Sequence, residues 1–275
     1  MASQLFVRGG SVAPVPSPTL RRGLGLDLVG AACLVTGASS GIGAATARLL
    51  AGAGARVAVH GRDRAALDRL AADLGAPTIQ GDLTEPGAAE AVAAAAEADL
   101  GPLDVVVSNA GAGWSGSFCE MDPAEADCLI ALNLTAPVHL ARAVIPGMAA
   151  RGRGCLVLVG SIVGHLGAPQ EAVYAATKAA LASLAESLRA EMAPVGVGVC
   201  LVSPGVVQTA FFDRRGLPYS RRRPRPIPAG RVAVAVETAI TEGRPRTIVP
   251  TWLGLPVALS TLTPSLYRRL ADRWA

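Results

Sequence analysis

From Ala31 to about Thr251, short apolar runs alternate with helix-length stretches, and that alternation leaves very few folds open. The run ACLVTG enters a glycine turn, and GIGAATARLLAGAG follows as a helix that ends in glycine. RVAVHG, PTIQGD, DVVVSNAG, CLVLVGS, GVCLVSPG and TIVPT repeat the strand-like character. Between them lie RAALDRLAADLG, a helical stretch through about residue 100, a long one around 124–150, AVYAATKAALASLAESLRAEM, and another near 229–241. Strands that alternate with helices of about 10 or more residues imply βαβ units and a parallel sheet. The expectation is an α/β fold: a single doubly wound, Rossmann-type domain with about seven parallel strands flanked by helices, spanning residues 25–275. A flexible arm, residues 1–24, precedes it. The chain is 51% hydrophobic and only 17% charged, enough to build a sizeable core for such a sheet.

Several function classes drop out on composition. The five cysteines, Cys33, Cys119, Cys128, Cys155 and Cys200, form no CxxC pair and have no nearby His. Their odd number and apolar neighbours read as buried thiols in a reduced, cytoplasmic compartment, and no metal site is expected. Residues 1–24 carry three Arg, no acid and prolines at 14, 16 and 18, without the continuous apolar core of a secretory signal. Arg, Asp, Pro or Gly interrupts every candidate membrane span. The net charge of +4 is local: residues 213–225 hold six Arg and one Asp, which leaves −1 for the remainder. No nucleic-acid footprint covers a face.

The first turn, Thr36-Gly-Ala-Ser-Ser-Gly-Ile-Gly43, places three glycines between a strand and a helix. Such a turn lets the backbone approach a pyrophosphate at a helix N-terminus, or serves only as a tight bend. The spacing is GxxxGxG and not GxGxxG. At the end of the second strand, where a ribose-binding acid is usual, the chain has Gly61, followed by Arg62. A guanidinium without a carboxylate beside it suits a 2′-phosphate, so NADP(H) is expected over NAD(H). His60 could add charge, and Asp63 could still serve a ribose. The chain has only two asparagines. Asn109 sits at a strand's C-terminal end, where parallel sheets bind ligands. Asn133 is a poor helix former inside an apolar helix, either a buried amide holding a backbone group or a residue kept for its chemistry.

The segment Ser161 to Lys178 carries the chemistry. It holds a serine, a tyrosine thirteen positions on, and a lysine four beyond that, the only lysine among 25 basic residues. On a helix Tyr174 and Lys178 share one face, roughly 6 Å apart along the axis. An ammonium there favours the phenolate and lowers a phenol's pKa from about 10, which makes tyrosine a usable general acid. Arg is wider and rigid, and could not replace Lys in that role.

With these motifs in order, the chain resembles the classical short-chain dehydrogenase/reductase family over Thr36 to about Thr209. The matching features are TGASSGIG at 36–43, Asp82, the NAG at 109–111, Asn133, Ser161, YAATK at 174–178, and Pro204-Gly205 with Thr209. The resemblance implies that Gly37, Ser39, Ser40, Gly41, Ile42 and Gly43 face the cofactor's pyrophosphate and that Asp82 and Leu83 cover its adenine. Arg62 would meet the 2′-phosphate, and Asn109, Ala110 and Gly111 would line the same site. Pro204, Gly205, Val207 and Thr209 would contact its nicotinamide end. Ser161 would bind the substrate oxygen, Tyr174 would exchange the proton, and Lys178 would hold the ribose and tune Tyr174. Asn133 would hold a water of the proton relay. Ser108 departs from the family, which often has a second Asn there.

The implied function is an NADP(H)-dependent oxidoreductase, a carbonyl or keto reductase or a secondary-alcohol dehydrogenase, acting on a small-molecule carbonyl or alcohol. The alternatives are an NAD-dependent alcohol dehydrogenase of the same family and a non-catalytic dinucleotide-binding regulator. A homodimer or homotetramer is expected. Residues 206–228 form the variable substrate lid. Its six Arg could attract an acidic or carrier-bound substrate or simply be solvated, and its prolines disfavour a regular helix. The tail, 251–275, is expected as a helix pair packed on the domain or on a partner subunit. The competing readings are a wall of the pocket and a surface in peripheral contact with lipid.

Overall fold

The computed structural model describes residues 24–217, 219 and 224–271. The expected N-terminal arm, apart from Leu24, and Arg221, Arg222 and Arg223 of the lid lie outside these residues. The first half of the fold runs β1 (Ala32–Val35), α1 (Gly41–Gly52), β2 (Arg56–Gly61), α2 (Arg64–Leu74), β3 (Thr78–Gln80), α3 (Ala88–Leu100), β4 (Val105–Ser108), α4 (Pro123–Ile130) and α5 (Ala136–Arg151). The second continues with β5 (Gly154–Val159), α6 (Val163–Leu166), α7 (Ala172–Met192), β6 (Val197–Pro204), β7 (Val207–Gln208), α8 (Phe211–Arg214) and β8 (Ile227–Pro228). It closes with α9 (Ala229–Glu242), β9 (Arg246–Val249), α10 (Gly254–Leu262) and α11 (Pro264–Ala271).

Seven strands form one sheet in the order β3-β2-β1-β4-β5-β6-β9, and every neighbouring pair is parallel. The expected doubly wound sheet is therefore present. The order reverses between β1 and β4, where Cys33 pairs with Val105 and Val35 with Val107. Beyond these carboxyl ends the two chains part in opposite directions and leave a crevice.

Both faces of the sheet are covered. Leu34, Val106, Leu156 and Leu158 point to one side and meet Val92 and Ala96 of α3, Leu140 and Val144 of α5, and Leu181 of α7. Val35, Val59, Val107 and Val157 point to the other and meet Leu50 of α1, Leu67 of α2, and Val236 and Ile240 of α9. The period-2 alternation of side chains sorts each strand into these two cores. Each fully buried Leu or Val contributes about 1.5–3 kcal/mol of transfer free energy. α5 continues from α4 as a 29-residue helical stretch, long and apolar enough by length and composition to cross a membrane. Its apolar side, from Leu132 to Met148, packs into the core.

Three local features depart from expectation. Residues 131–135 form a π-helical turn between α4 and α5, so Asn133 sits in a bulge and not in a regular helix. The lid is bracketed by a two-stranded pairing of β7 with β8 and contains the four-residue α8, placed before its prolines. Cys119 and Cys128 are exposed, because the segment around them lies outside the core. Cys33, Cys155 and Cys200 are buried as expected, and all five thiols are free.

Candidate active site

The glycine turn and the loop after β4 are stitched together at the switch point. Thr36 Oγ1 accepts hydrogen bonds from the Asn109 and Ala110 N–H groups at 3.0 and 3.1 Å and donates to the Val107 carbonyl at 3.3 Å. The Asn109 amide donates to the Thr36 carbonyl at 2.9 Å and the Gly37 carbonyl at 3.3 Å. Its side chain holds the turn in place, a use that strand-end position alone does not reveal. Gly37 adopts φ +65°, and a Cβ there would come within 2.8 Å of the Ala110 Cα. A Cβ on Gly43 would lie 2.2 Å from the Gly37 carbonyl. The turn is a cradle that side chains would fill. Ser39, Ser40, Gly41 and Ile42 line it, and Ser40 makes no side-chain cap to the α1 amides. That N-terminus is suited to an anion.

Just past the carboxyl end of β2, Arg62 pairs with Asp82 at 3.2 Å in a half-exposed bridge. Burial works against the Asp82 charge. The N–H and hydroxyl of Thr84, joined by Arg62, outweigh it and hold the carboxyl below its usual range. Leu83 is buried beside it. Asp63 caps α2 by accepting from the Ala66 N–H at 3.0 Å, so its carboxylate is already engaged. His60 does not add charge. Its ring is 2% exposed with no partner at hydrogen-bond geometry, and burial pulls its pKa down to about 4 against the weaker pull of Gly81 and Asp82.

The four residues expected to carry catalysis converge past the ends of β4 and β5. α7 begins at Ala172 and buries Tyr174, Thr177 and Lys178 on one face. Lys178 Nζ donates to the Val159 carbonyl at 3.0 Å and lies 5.9 Å from the Tyr174 ring centroid. Burial lowers the Lys178 pKa to about 8. The phenol of Tyr174 shifts opposite to expectation. Burial pushes it up to about 12, the hydroxyl of Ser161 and the charge of Arg215 pull it back, and Glu171 adds to the rise. Asn133 is fully buried and clamps Ala112: its carbonyl accepts from the Ala112 N–H at 3.0 Å, and its amide donates to the Ala112 carbonyl at 2.9 Å. The amide also reaches Thr177 Oγ1 at 3.4 Å, and that hydroxyl donates to the Tyr174 carbonyl at 2.7 Å. Gly111 packs closely beside them: a Cβ there would stand 3.0 Å from Asn133 Oδ1 and 3.5 Å from Lys178 Nζ.

The remaining expected residues close the crevice. The Pro204 carbonyl accepts from the Ile162 N–H, and the Gly205 N–H donates to the Val249 carbonyl at 2.7 Å, which fixes the turn after β6. Val207 is buried, and Thr209 lies against Gly41, where a Cβ would come within 2.9 Å of its methyl. Four contacts were not expected from sequence. Arg214 donates to Ser40 Oγ at 3.4 Å. Arg215 forms an ion pair with Glu171, both side chains largely buried, and lies over the Phe212 ring at 4.6 Å. Phe211 stands 5.6 Å from the Tyr174 ring. The resulting cleft is continuous, about 1760 Å³, and runs from the glycine turn past Tyr174 to α10. Among the described residues, no cluster of His, Cys, Asp or Glu suits a metal ion.

Residues 31–218 match the short chain dehydrogenase family. The chain is 34% identical over 218 residues to a 3-oxoacyl-(acyl-carrier-protein) reductase of Escherichia coli, covering 78% of this chain and 88% of that protein. Its fold is similar to a short-chain dehydrogenase from Sphingobium yanoikuyae solved with NADPH, at TM-score 0.74 and 32% identity, over 85% of this chain and 95% of that one. It is also similar to a 3-ketoacyl-(acyl-carrier-protein) reductase from Brucella melitensis solved with NADH, at TM-score 0.75 and 26% identity, over 81% and 97%. By the family match and its coverage, this chain belongs to the short-chain dehydrogenase family and is an oxidoreductase of that kind.

Proposed function

We propose that the protein is an NADP(H)-dependent oxidoreductase that interconverts a small-molecule carbonyl and a secondary alcohol, with Tyr174 as general acid and base. The observation that carries this reading is the convergence of Ser161, Tyr174, Lys178 and Asn133 at the strand ends, beside a glycine cradle and an uncapped α1 N-terminus. The cradle fits a dinucleotide. Gly37 and residues 39–43 would take its pyrophosphate, and Asp82 and Leu83 its adenine. The loop 109–111, Lys178, Pro204, Gly205, Val207 and Thr209 would hold the ribose and nicotinamide end. When bound, the dinucleotide supplies or accepts the hydride.

The protein's own groups handle the proton. Ser161 shares a hydrogen bond with the phenol and orients the substrate oxygen on the same side. Tyr174 gives its proton to that oxygen in reduction and takes it back in oxidation. A phenol held protonated by burial is poised as the acid. Lys178, whose ammonium lies 5.9 Å from the ring centroid, assists the phenolate form. Asn133 fixes Ala112 and, through Thr177, the first turn of α7, and so sets the position of the phenol.

NADP(H) is favoured over NAD(H) by Gly61 in place of a ribose-binding acid, by the basic Arg62 beside it, and by the engagement of Asp63 in its cap. A homodimer or homotetramer and a cytoplasmic location belong to the same reading, the latter supported by the free thiols. Tyr174→Phe tests the proposal. NADPH-dependent ketone reduction, followed as loss of nicotinamide absorbance, should fall at least about a hundredfold while NADPH binding stays nearly unchanged. Turnover within about tenfold of the parent would remove Tyr174 from the role.

A further inference from the structure

We propose that the outer half of the cleft is built for substrates whose carbonyl or carbinol carbon carries a long or bulky apolar body, with α10 as one wall. The proposal rests on Tyr174 marking the reacting end. A cleft of about 1760 Å³ exceeds the roughly 300–1,000 Å³ of a pocket for one small ligand. One end, from the glycine turn to Asp82, is the proposed dinucleotide site. The other runs outward from Tyr174 along a ladder of aromatic rings. Tyr174 meets Phe211 at 5.6 Å, Phe211 meets Phe212 at 5.5 Å, and Phe212 meets Tyr219 at 5.4 Å between centroids.

The facing wall comes from Trp252, Leu253, Pro256 and Leu259. It is anchored at the reacting end: Leu253 is 6% exposed, and its Cδ1 lies 2.5 Å from where a Cβ on Gly205 would stand. Residues 251–263 include no charged side chain at all. Among the described residues, the two arginines that follow Phe212 and Asp213 are engaged. Arg215 is paired with Glu171 and covered by Phe212, and Arg214 points to Ser40. Arg225 and Arg231 line the cleft from its exposed rim. Two apolar walls, with Arg215 neutralised by Glu171 between them, favour a substrate by the area it removes from water.

A homologous series tests this. Burying one methylene is worth up to about fourfold, so kcat/KM for NADPH-dependent reduction should rise roughly tenfold or more from 2-butanone to 2-decanone. The double substitution Trp252→Ala and Leu259→Ser should cut the decanone-to-butanone ratio by most of that gain. Calorimetric titration of Tyr174→Phe with 2-butanol and 2-decanol separates binding from chemistry, and decanol should bind at least about tenfold tighter. Failure of every ketone to turn over would sink the oxidoreductase reading, and the calorimetric series would still decide this one. Equal affinity for the two alcohols, or a flat ketone series in an active enzyme, overturns the apolar arm. A gain that the double variant keeps in full overturns the role of α10.

Discussion

In the proposed reading, cofactor choice turns on Arg62. Its guanidinium is two-thirds exposed and is held toward the cleft by Asp82, an exposed pair worth little to stability. It can exchange that partner for a phosphate, a stronger charge-assisted acceptor. Arg62→Ala should therefore weaken NADPH binding by about 1–3 kcal/mol, roughly a five- to hundredfold rise in Kd, and leave NADH nearly untouched. Fluorescence titration of both cofactors decides it, and equal weakening of the two would assign Arg62 to the ion pair alone. The position of Arg62 after a strand ending in glycine was legible in the sequence, because a strand end and its next residue are local facts. The occupation of Asp63 by its own helix was not, since capping depends on where α2 begins.

The same division holds between elements. The sheet could be read from its apolar runs, and the shared face of Tyr174 and Lys178 from their four-residue spacing, because both follow from local periodicity. Contacts between distant elements could not. Arg215 and Glu171 are 44 positions apart, and Arg214 and Ser40 are 174 apart. The Arg215–Glu171 pair ties the lid, just after α8, to the residue that precedes α7 and its Tyr174. The two charges act on the phenol in opposite senses, Glu171 raising its pKa and Arg215 lowering it. As the proposed acid of the reductive direction, Tyr174 must be protonated, and on that reading activity falls as pH rises through its pKa. Glu171→Gln should move that alkaline limb to lower pH, and Arg215→Met should move it higher. Each variant breaks the same buried pair, at a cost of about 3 kcal/mol in stability. Rate profiles against pH for the two variants separate charge from structure. Simple loosening of the lid would shift both profiles the same way, and that result would rule out an electrostatic role.

At the scale of the whole molecule, stability against acid should depend on one buried ring. His60 lies on β2 with neither nitrogen at hydrogen-bond geometry, and burial, offset in part by the Gly81 backbone and Asp82, lowers its pKa from 6.5 to about 4. Between those two values the unfolded chain binds a proton that the folded chain refuses. Stability is therefore complete above about pH 6.5 and is lost as pH falls toward 4. The loss amounts to about 2 kcal/mol at pH 5 and approaches about 3 kcal/mol at the lower limit. A folded domain is stable by only about 5–15 kcal/mol, so this one residue is felt globally. His60→Leu removes the titration and two unsatisfied nitrogens together, and should be neutral or slightly stabilising at pH 7. Urea unfolding of both proteins without cofactor, at pH 7 and pH 5, measures the difference directly. Carboxylates titrate equally in the two chains and cancel in the comparison. The variant should gain about 2 kcal/mol over the parent between the two pH values. An unchanged gap would mean that the ring finds a proton acceptor or water when charged, and that β2 opens locally before the molecule unfolds.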